Sequence, residues 1–233
     1  MQALQTTSRR DMRLTERTPE GLTRTKLEPT KIVCLGRNYK EHAKEMGGTI
    51  PEEPMLFLKP PSCLLEDGGV IQLPHESQTV HHEVELAVII GKRARRISAH
   101  NWDDHVYGYS IFLDITARDL QDEAKKRGEP WTVCKGFDTF GPISPVTSKN
   151  RVRDPHRLEI SLKRNGQLKQ RSNTQHLIFK IPEILEYASR IMTLEPGDII
   201  STGTPQGVGE IRNGDHIEAE IEEIGTLSVT VRR

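Results

Sequence analysis

Short apolar runs, broken by polar, glycine-marked and proline-marked stretches, follow one another from Lys31 to the C-terminus. "KIVCLG" (31–36) is the first such run, and its length and its end at Gly36 predict a strand. "RNYKEHAKEMGG" (37–48) predicts a short helix, with Asn38 able to cap its start and Gly47-Gly48 ending it. "PEEPMLFLKPPS" (51–62) reads as extended chain punctuated by prolines, and strands are expected over 83–90 and in "VYGYSIFLDIT" (106–116). "ARDLQDEAKKRG" (117–128) predicts a polar helix closed by Gly128. "LEISLKRNGQLKQRS" (158–172) is a hairpin with Asn165-Gly166 at its turn. "IPEILEYASRIMTL" (181–194) has the apolar stripe of an amphipathic helix, with Pro182 near its start. The tail from Gly197 predicts three strands of period-two alternation, as Ile217, Ala219 and Ile221 show. Strands outnumber helices, no internal repeat is visible, and no low-complexity linker divides the chain. The reading is an α+β, mostly β protein, with residues 1–30 as an N-terminal extension and 31–233 as one domain.

Composition removes several function classes. Lys+Arg and Asp+Glu are equal at 33 each, so no global field favours nucleic acid or an anionic membrane. The longest apolar runs, such as "LAVII" (86–90), fall far short of the roughly 20 residues of a membrane span, and a soluble protein is expected. Cys34, Cys63 and Cys134 are odd in number and widely spaced, which argues against a disulfide framework or a zinc knuckle and for a reducing compartment, with the cytoplasm as default. The first 26 residues lack an apolar core of the secretory kind, and Asp11, Glu16 and Glu20 break the acid-poor pattern of a transit peptide. They read as a loose or strand-forming extension. "GKRARR" (91–96) is the one dense basic run and reads as a solvated turn after a strand.

Candidate chemistry centres on "HHEVELAVIIGK" (81–92), where Glu83 and Glu85 project from one face of an otherwise apolar strand. Two like charges one pleat apart repel, and desolvating either costs several kcal/mol unless something compensates. A solvated strand face would remove the difficulty, but "SIFLDIT" places a third acid, Asp114, in another apolar strand with no adjacent Lys or Arg. Three such acids suit a hard divalent cation with oxygen ligands. His81 and His82 make zinc conceivable, although zinc sites usually draw on more His or Cys than this spacing offers. His42 and Glu45 lie three apart on the short helix and share a face; a surface pair is the plain alternative. The loop "TGTPQGVG" (202–209) lacks the GK[ST] ending of a phosphate-binding loop, so a nucleotide is not expected there.

"LGRNYKEHAKEM", "FLKP", "HHEVELAVIIGK", "YSIFLDITARDLQ" and "GDIISTGTPQGVG" together resemble the fumarylacetoacetate hydrolase family, and within it the short-chain acylpyruvate hydrolase and oxaloacetate decarboxylase branch. The resemblance runs from about Lys31 to the C-terminus. It implies a mixed β-sandwich roll, a homodimer, and Mg²⁺ or Mn²⁺ held by Glu83, Glu85 and Asp114. It also implies a water-activating dyad of His42 and Glu45, with Lys135 and Gln121 as further catalytic groups. Arg118, Gly203 and Thr204 become substrate contacts, and Lys59 supports the site or binds a carboxylate without joining the catalytic set. The activity implied is metal-dependent hydrolysis of the C–C bond of acylpyruvates, β-diketo or 2-oxo acids, with oxaloacetate decarboxylation as a companion reaction. The alternative is an isomerase or decarboxylase of 2-hydroxyhepta-2,4-diene-1,7-dioate or 5-carboxymethyl-2-hydroxymuconate. "HAKE" favours hydrolysis, because isomerisation needs proton transfer but no activated water. A non-catalytic nucleic-acid-binding barrel is disfavoured by few aromatics and zero net charge.

Overall fold

The computed structural model describes residues 12–45 and 51–233. The chain opens with a hairpin of β1 (Thr15–Thr18) and β2 (Gly21–Arg24), then β3 (Ile32–Gly36) and helix α1 (Lys40–Glu45). Next come β4 (Met55–Lys59), β5 (Leu64–Glu66), β6 (Val70–Gln72), β7 (Val80–His82), β8 (Val84–Ile90), β9 (Val106–Leu113) and β10 (Thr116–Ala117). Helices α2 (Arg118–Arg127) and α3 (Thr132–Lys135) follow, then β11 (Gly141–Ile143), β12 (Thr147–Ser148), β13 (Glu159–Arg164) and β14 (Gln167–Asn173). Helix α4 (Ile181–Ile191) precedes β15 (Ile199–Ser201), β16 (Gly209–Ile211), β17 (His216–Ile221) and β18 (Gly225–Arg232).

An eight-stranded sheet runs β4-β3-β15-β8-β9-β11-β5, with β12 also paired to β9. A five-stranded sheet, β14-β13-β17-β18-β6, faces it, and a small one, β10-β7-β16, bridges the two at the end where the acids lie. Parallel pairs, such as β15 with β3, mix with antiparallel ones. This is the mostly β, mixed roll that the resemblance implies.

Every residue of β8 is buried, as fits a strand covered on both faces. Leu86, Val88 and Ile90 join Val33, Leu35 and Ile200 in the core beneath the five-stranded sheet and α4. Ala87 and Ile89 point the other way, into a second core with Ile32, Cys34, Phe112 and Ile199. Leu14, from the N-terminal segment, closes that second core, with Met12 and Leu27 packed against it. Full burial of each such aliphatic side chain is worth about 1.5–3 kcal/mol.

The Asn165-Gly166 turn carries φ of 52° and 74°, the left-handed pair that a two-residue hairpin requires. Ile181, Ile184, Leu185 and Ala188 form the buried stripe of α4. Two details depart from the sequence reading. The tail holds four strands rather than three, since the glycine-rich stretch before β17 adds β16, which pairs with β7. Asn38 does not cap α1: its Nδ2 donates to Thr202 O at 2.7 Å and to Phe179 O at 3.1 Å, while its Oδ1 accepts from Phe179 N at 2.8 Å. Three backbone groups outside the helix hold this carboxamide. Gly47 and Gly48, expected to end the helix, lie outside the described residues.

Candidate active site

Glu83 and Asp114 sit where two neighbouring strands break together. Glu83 separates β7 from β8, Asp114 separates β9 from β10, and Asp114 N donates to Glu83 O at 2.9 Å across the gap. Glu85 follows inside β8. One carboxylate oxygen from each of Glu83, Glu85 and Asp114 lies within 4.8 Å of the others, and all three residues are buried.

The acids have basic partners after all, brought from distant parts of the chain. Lys59 Nζ, at the end of β4, donates to Asp114 Oδ1 at 2.8 Å and to Ile115 O at 3.0 Å. Lys135 Nζ, at the end of α3, donates to Asp114 Oδ2 at 2.5 Å and Glu83 Oε2 at 3.0 Å. Arg118, first in α2, pairs with Glu83 and also bonds Gln121 Oε1. Burial pushes the Glu83 carboxyl up, but Lys135, Arg118 and His42 together outweigh it and hold the group well below the usual carboxylate range. Burial likewise works against the Lys135 ammonium, yet Asp114 and Glu83 raise it above an ordinary lysine. Lys135 is therefore a fixed positive charge and a donor, and is unsuited to act as a base.

Glu85 is different. Its Oε2 accepts from Ser201 Oγ at 2.5 Å and from Gly203 N at 2.8 Å, and among the described residues no cation touches it. Burial first, then the neighbouring Asp114 charge, push its carboxyl up to about 8, with the Ser201 bond opposing. A buried carboxylate with no cation of its own, facing two others in an all-oxygen set, fits a hard divalent ion. The histidines do not join this set: His82 Nδ1 is bonded to Gln170 Oε1 at 3.0 Å, and His81 Nδ1 lies 3.4 Å from Arg118 Nε.

His42 is buried, with Nδ1 3.2 Å from Glu45 Oε2. Glu45 is fixed in turn by Gly207 N, which lies 3.1 Å from Oε1 and 3.2 Å from Oε2. A carboxylate opposite Nδ1 places the ring proton there and leaves Nε2 as the basic nitrogen. Gln121 lines the cleft beside the acids, and its Nε2 makes no hydrogen bond with any described residue. The loop after β15 holds the glutamate strand. Gly203 N is committed to Glu85, and the single Thr204 hydroxyl proton goes to Val84 O at 2.9 Å. A substrate anion at Thr204 would have to draw on another donor or break that bond.

Gln170 escapes the sequence reading altogether. It is buried in β14; its Oε1 accepts from Val84 N at 3.1 Å and His82 Nδ1 at 3.0 Å, and its Nε2 donates to Thr204 Oγ1 and Pro205 O, both at 2.9 Å. It ties the glutamate strand to the Thr204 loop. The available signal was register: the Asn-Gly turn sets Gln170 opposite the inward-facing Leu162, where a polar side chain needs a reason. Tyr39, buried beside α1, keeps a hydroxyl without a partner among the described residues, and its phenol lies within the field of Glu85.

Residues 31–232 match the C-terminal domain family of fumarylacetoacetate (FAA) hydrolase. The mitochondrial oxaloacetate tautomerase FAHD1 of Arabidopsis thaliana is 51% identical over 204 residues, covering 88% of this chain and 92% of that protein. The crystal structure of fumarylpyruvate hydrolase from Pseudomonas aeruginosa, in complex with Mn²⁺ and pyruvate, superposes with a TM-score of 0.89 at 33% identity, covering 97% of this chain and 98% of that one. That of 5-carboxymethyl-2-hydroxymuconate delta-isomerase from Mycobacterium smegmatis gives a TM-score of 0.81 at 36% identity, covering 95% and 99%. The match leaves only the N-terminal segment and the last residue outside it, and the chain belongs to the fumarylacetoacetate hydrolase family.

Proposed function

We propose that this protein is a divalent-metal-dependent enzyme of small 2-oxo acids, and that its main reaction moves a proton between the 2-oxo oxygen and the adjacent carbon of oxaloacetate, interconverting keto and enol forms. The observation that carries the reading is the buried His42, whose Nδ1 lies 3.2 Å from Glu45 Oε2 and whose other ring nitrogen is left as the base. Half of the aligned residues are shared with an oxaloacetate tautomerase, which supports the choice of reaction.

Mg²⁺ or Mn²⁺ held by Glu83, Glu85 and Asp114 would supply positive charge against the oxygen that becomes negative in the reaction. The chain's own groups do the rest. His42 Nε2 takes the proton from the carbon beside the 2-oxo group and returns it at the oxygen, with Glu45 stabilising the ring while it is charged. Lys135 holds its ammonium where negative charge develops. Gln121 Nε2 donates to a substrate oxygen, and Arg118, already oriented by Glu83 and Gln121, meets the substrate's carboxylate. A homodimer and a cytoplasmic location belong to the same reading; among the described residues no helix is long and apolar enough to cross a membrane.

Acylpyruvate hydrolysis is the second reading, favoured by the same dyad, because a base able to take a carbon-bound proton can also activate water. The test is a panel of metal-loaded protein with enol-oxaloacetate, acetylpyruvate and fumarylpyruvate, with chelator-treated protein as control. Enol decay should be accelerated, and His42→Ala should lower that acceleration about a hundred-fold or more, as expected for a lost general base. Acylpyruvate cleavage without any tautomerase activity would replace the first reading with the second.

A further inference from the structure

Arg37 stands between β3 and α1 with φ of 57°, in the left-handed region that a long side chain rarely occupies. Such strain is retained at sites where the side chain is needed in one place. Arg37 lines the same cleft as Glu83, Glu85, Asp114 and Trp131. The three deeper cations are each bound to an acid, whereas the Arg37 guanidinium makes no hydrogen bond or ion pair with any described residue. Lys125 lines the cleft too, 5.8 Å from the Trp131 ring centroid, with Asp122 at 3.5 Å as its one ionic partner among the described residues. Burial, then the charge of Arg118, depress the Lys125 ammonium, and Arg37 adds to that repulsion. Two cations therefore converge on the cleft with less opposing charge than they carry, an arrangement that an incoming anion relieves.

We propose that Arg37, with Lys125 beside it, receives the carboxylate at the far end of the substrate, so that the enzyme selects 2-oxo acids carrying a second carboxylate over those ending in an uncharged group. The planar guanidinium offers two parallel N–H donors to one carboxylate, which a lysine cannot reproduce. The inference rests on the 2-oxo acid reading above and deepens it by naming the specificity residue.

The test compares oxaloacetate with its C4 methyl ester, which removes the distal charge and leaves the reacting carbons unchanged. Tautomerisation kcat/KM is measured for metal-loaded wild type, Arg37→Asn and Arg37→Lys. Asn tolerates the left-handed backbone, so the first variant keeps the turn. Wild type should prefer the diacid. Arg37→Asn should lower kcat/KM for the diacid by about ten- to a hundred-fold, chiefly through KM, and for the ester by much less, with Arg37→Lys in between. An active wild type without preference, or parallel losses on both compounds, overturns this inference alone. A wild type inactive on both overturns the 2-oxo acid reading and this inference with it.

Discussion

Asp114 and Glu85 share one carboxylate cluster but carry their charge differently, and single substitutions should separate them. Asp114 accepts from both Lys59 and Lys135, whose side chains are 0% and 2% exposed, so Asp114→Asn takes the acid from Lys59 and leaves Lys135 with Glu83 alone. Losing one member of a buried pair costs about 3–5 kcal/mol. Glu85→Gln keeps an oxygen to accept from Ser201 and Gly203 while removing a carboxyl whose ionisation burial and the Asp114 charge already oppose. Metal-free Glu85→Gln should match or exceed the wild type in stability. Urea unfolding in the presence of chelator measures both; equal losses would show that the lysines do not depend on Asp114. The acids were legible in the sequence because charge inside an apolar strand demands a cause. Their partners were not, since Lys59, Arg118 and Lys135 are 55, 35 and 21 residues from the acids they meet, and only the pairing of broken strands brings them together.

The start of α4 shows how an element depends on a residue from another part of the chain. Ile181 N, one of the helix's orphan donors, is accepted by His156 Nε2 at 3.2 Å, while Glu183 accepts from Lys180 N at 2.7 Å. Accepting requires a neutral ring nitrogen. Burial depresses His156 below the ordinary value; Asp154 opposes this, and Lys180 reinforces it. The folded-state value thus lies below the unfolded one of about 6.5, so this group's contribution is complete above that pH and is lost as pH falls through the folded value. His156→Gln retains an acceptor that does not titrate. Between pH 7.5 and 5.5 the wild type should lose about 1 kcal/mol more than the variant, the worth of one hydrogen bond. Parallel thermal unfolding curves at the two pH values would sink the idea. Helix α4 and the Asn-Gly hairpin were readable because stripe and turn chemistry are local. Three-residue strands such as β5, β6 and β16 were not: a strand that short has no period of its own, and its place comes from the neighbour it pairs with.

Ligand binding to the assembled site should appear in the stability of the entire chain, because residues from β4 to the loop after β15 must be in place before the carboxylates converge. Free Mn²⁺ or Mg²⁺ at a hundred times its Kd should add about 2.7 kcal/mol, which for a chain of this size raises Tm on the order of 5–10 °C. Calorimetry with and without chelator checks this; an unchanged Tm would mean that the folded protein does not hold the ion. The sequence reads residues 1–30 as a mobile or strand-forming extension; β1 and β2 form there, and Leu14 and its neighbours also close one face of the central sheet, a role that period and charge do not announce in so short a segment. The position of β15 has a further consequence during biosynthesis. It slots between β3 and β8, yet it is made long after both. Until Ile199–Ser201 emerge from the ribosome, "IVCLG" and "VELAVII" each present a bare apolar edge, the kind that templates association with another chain. Chains that end before Ile199 should therefore aggregate more readily than the full-length chain, in which β15 closes the sheet and Ser201 and Gly203 reach Glu85.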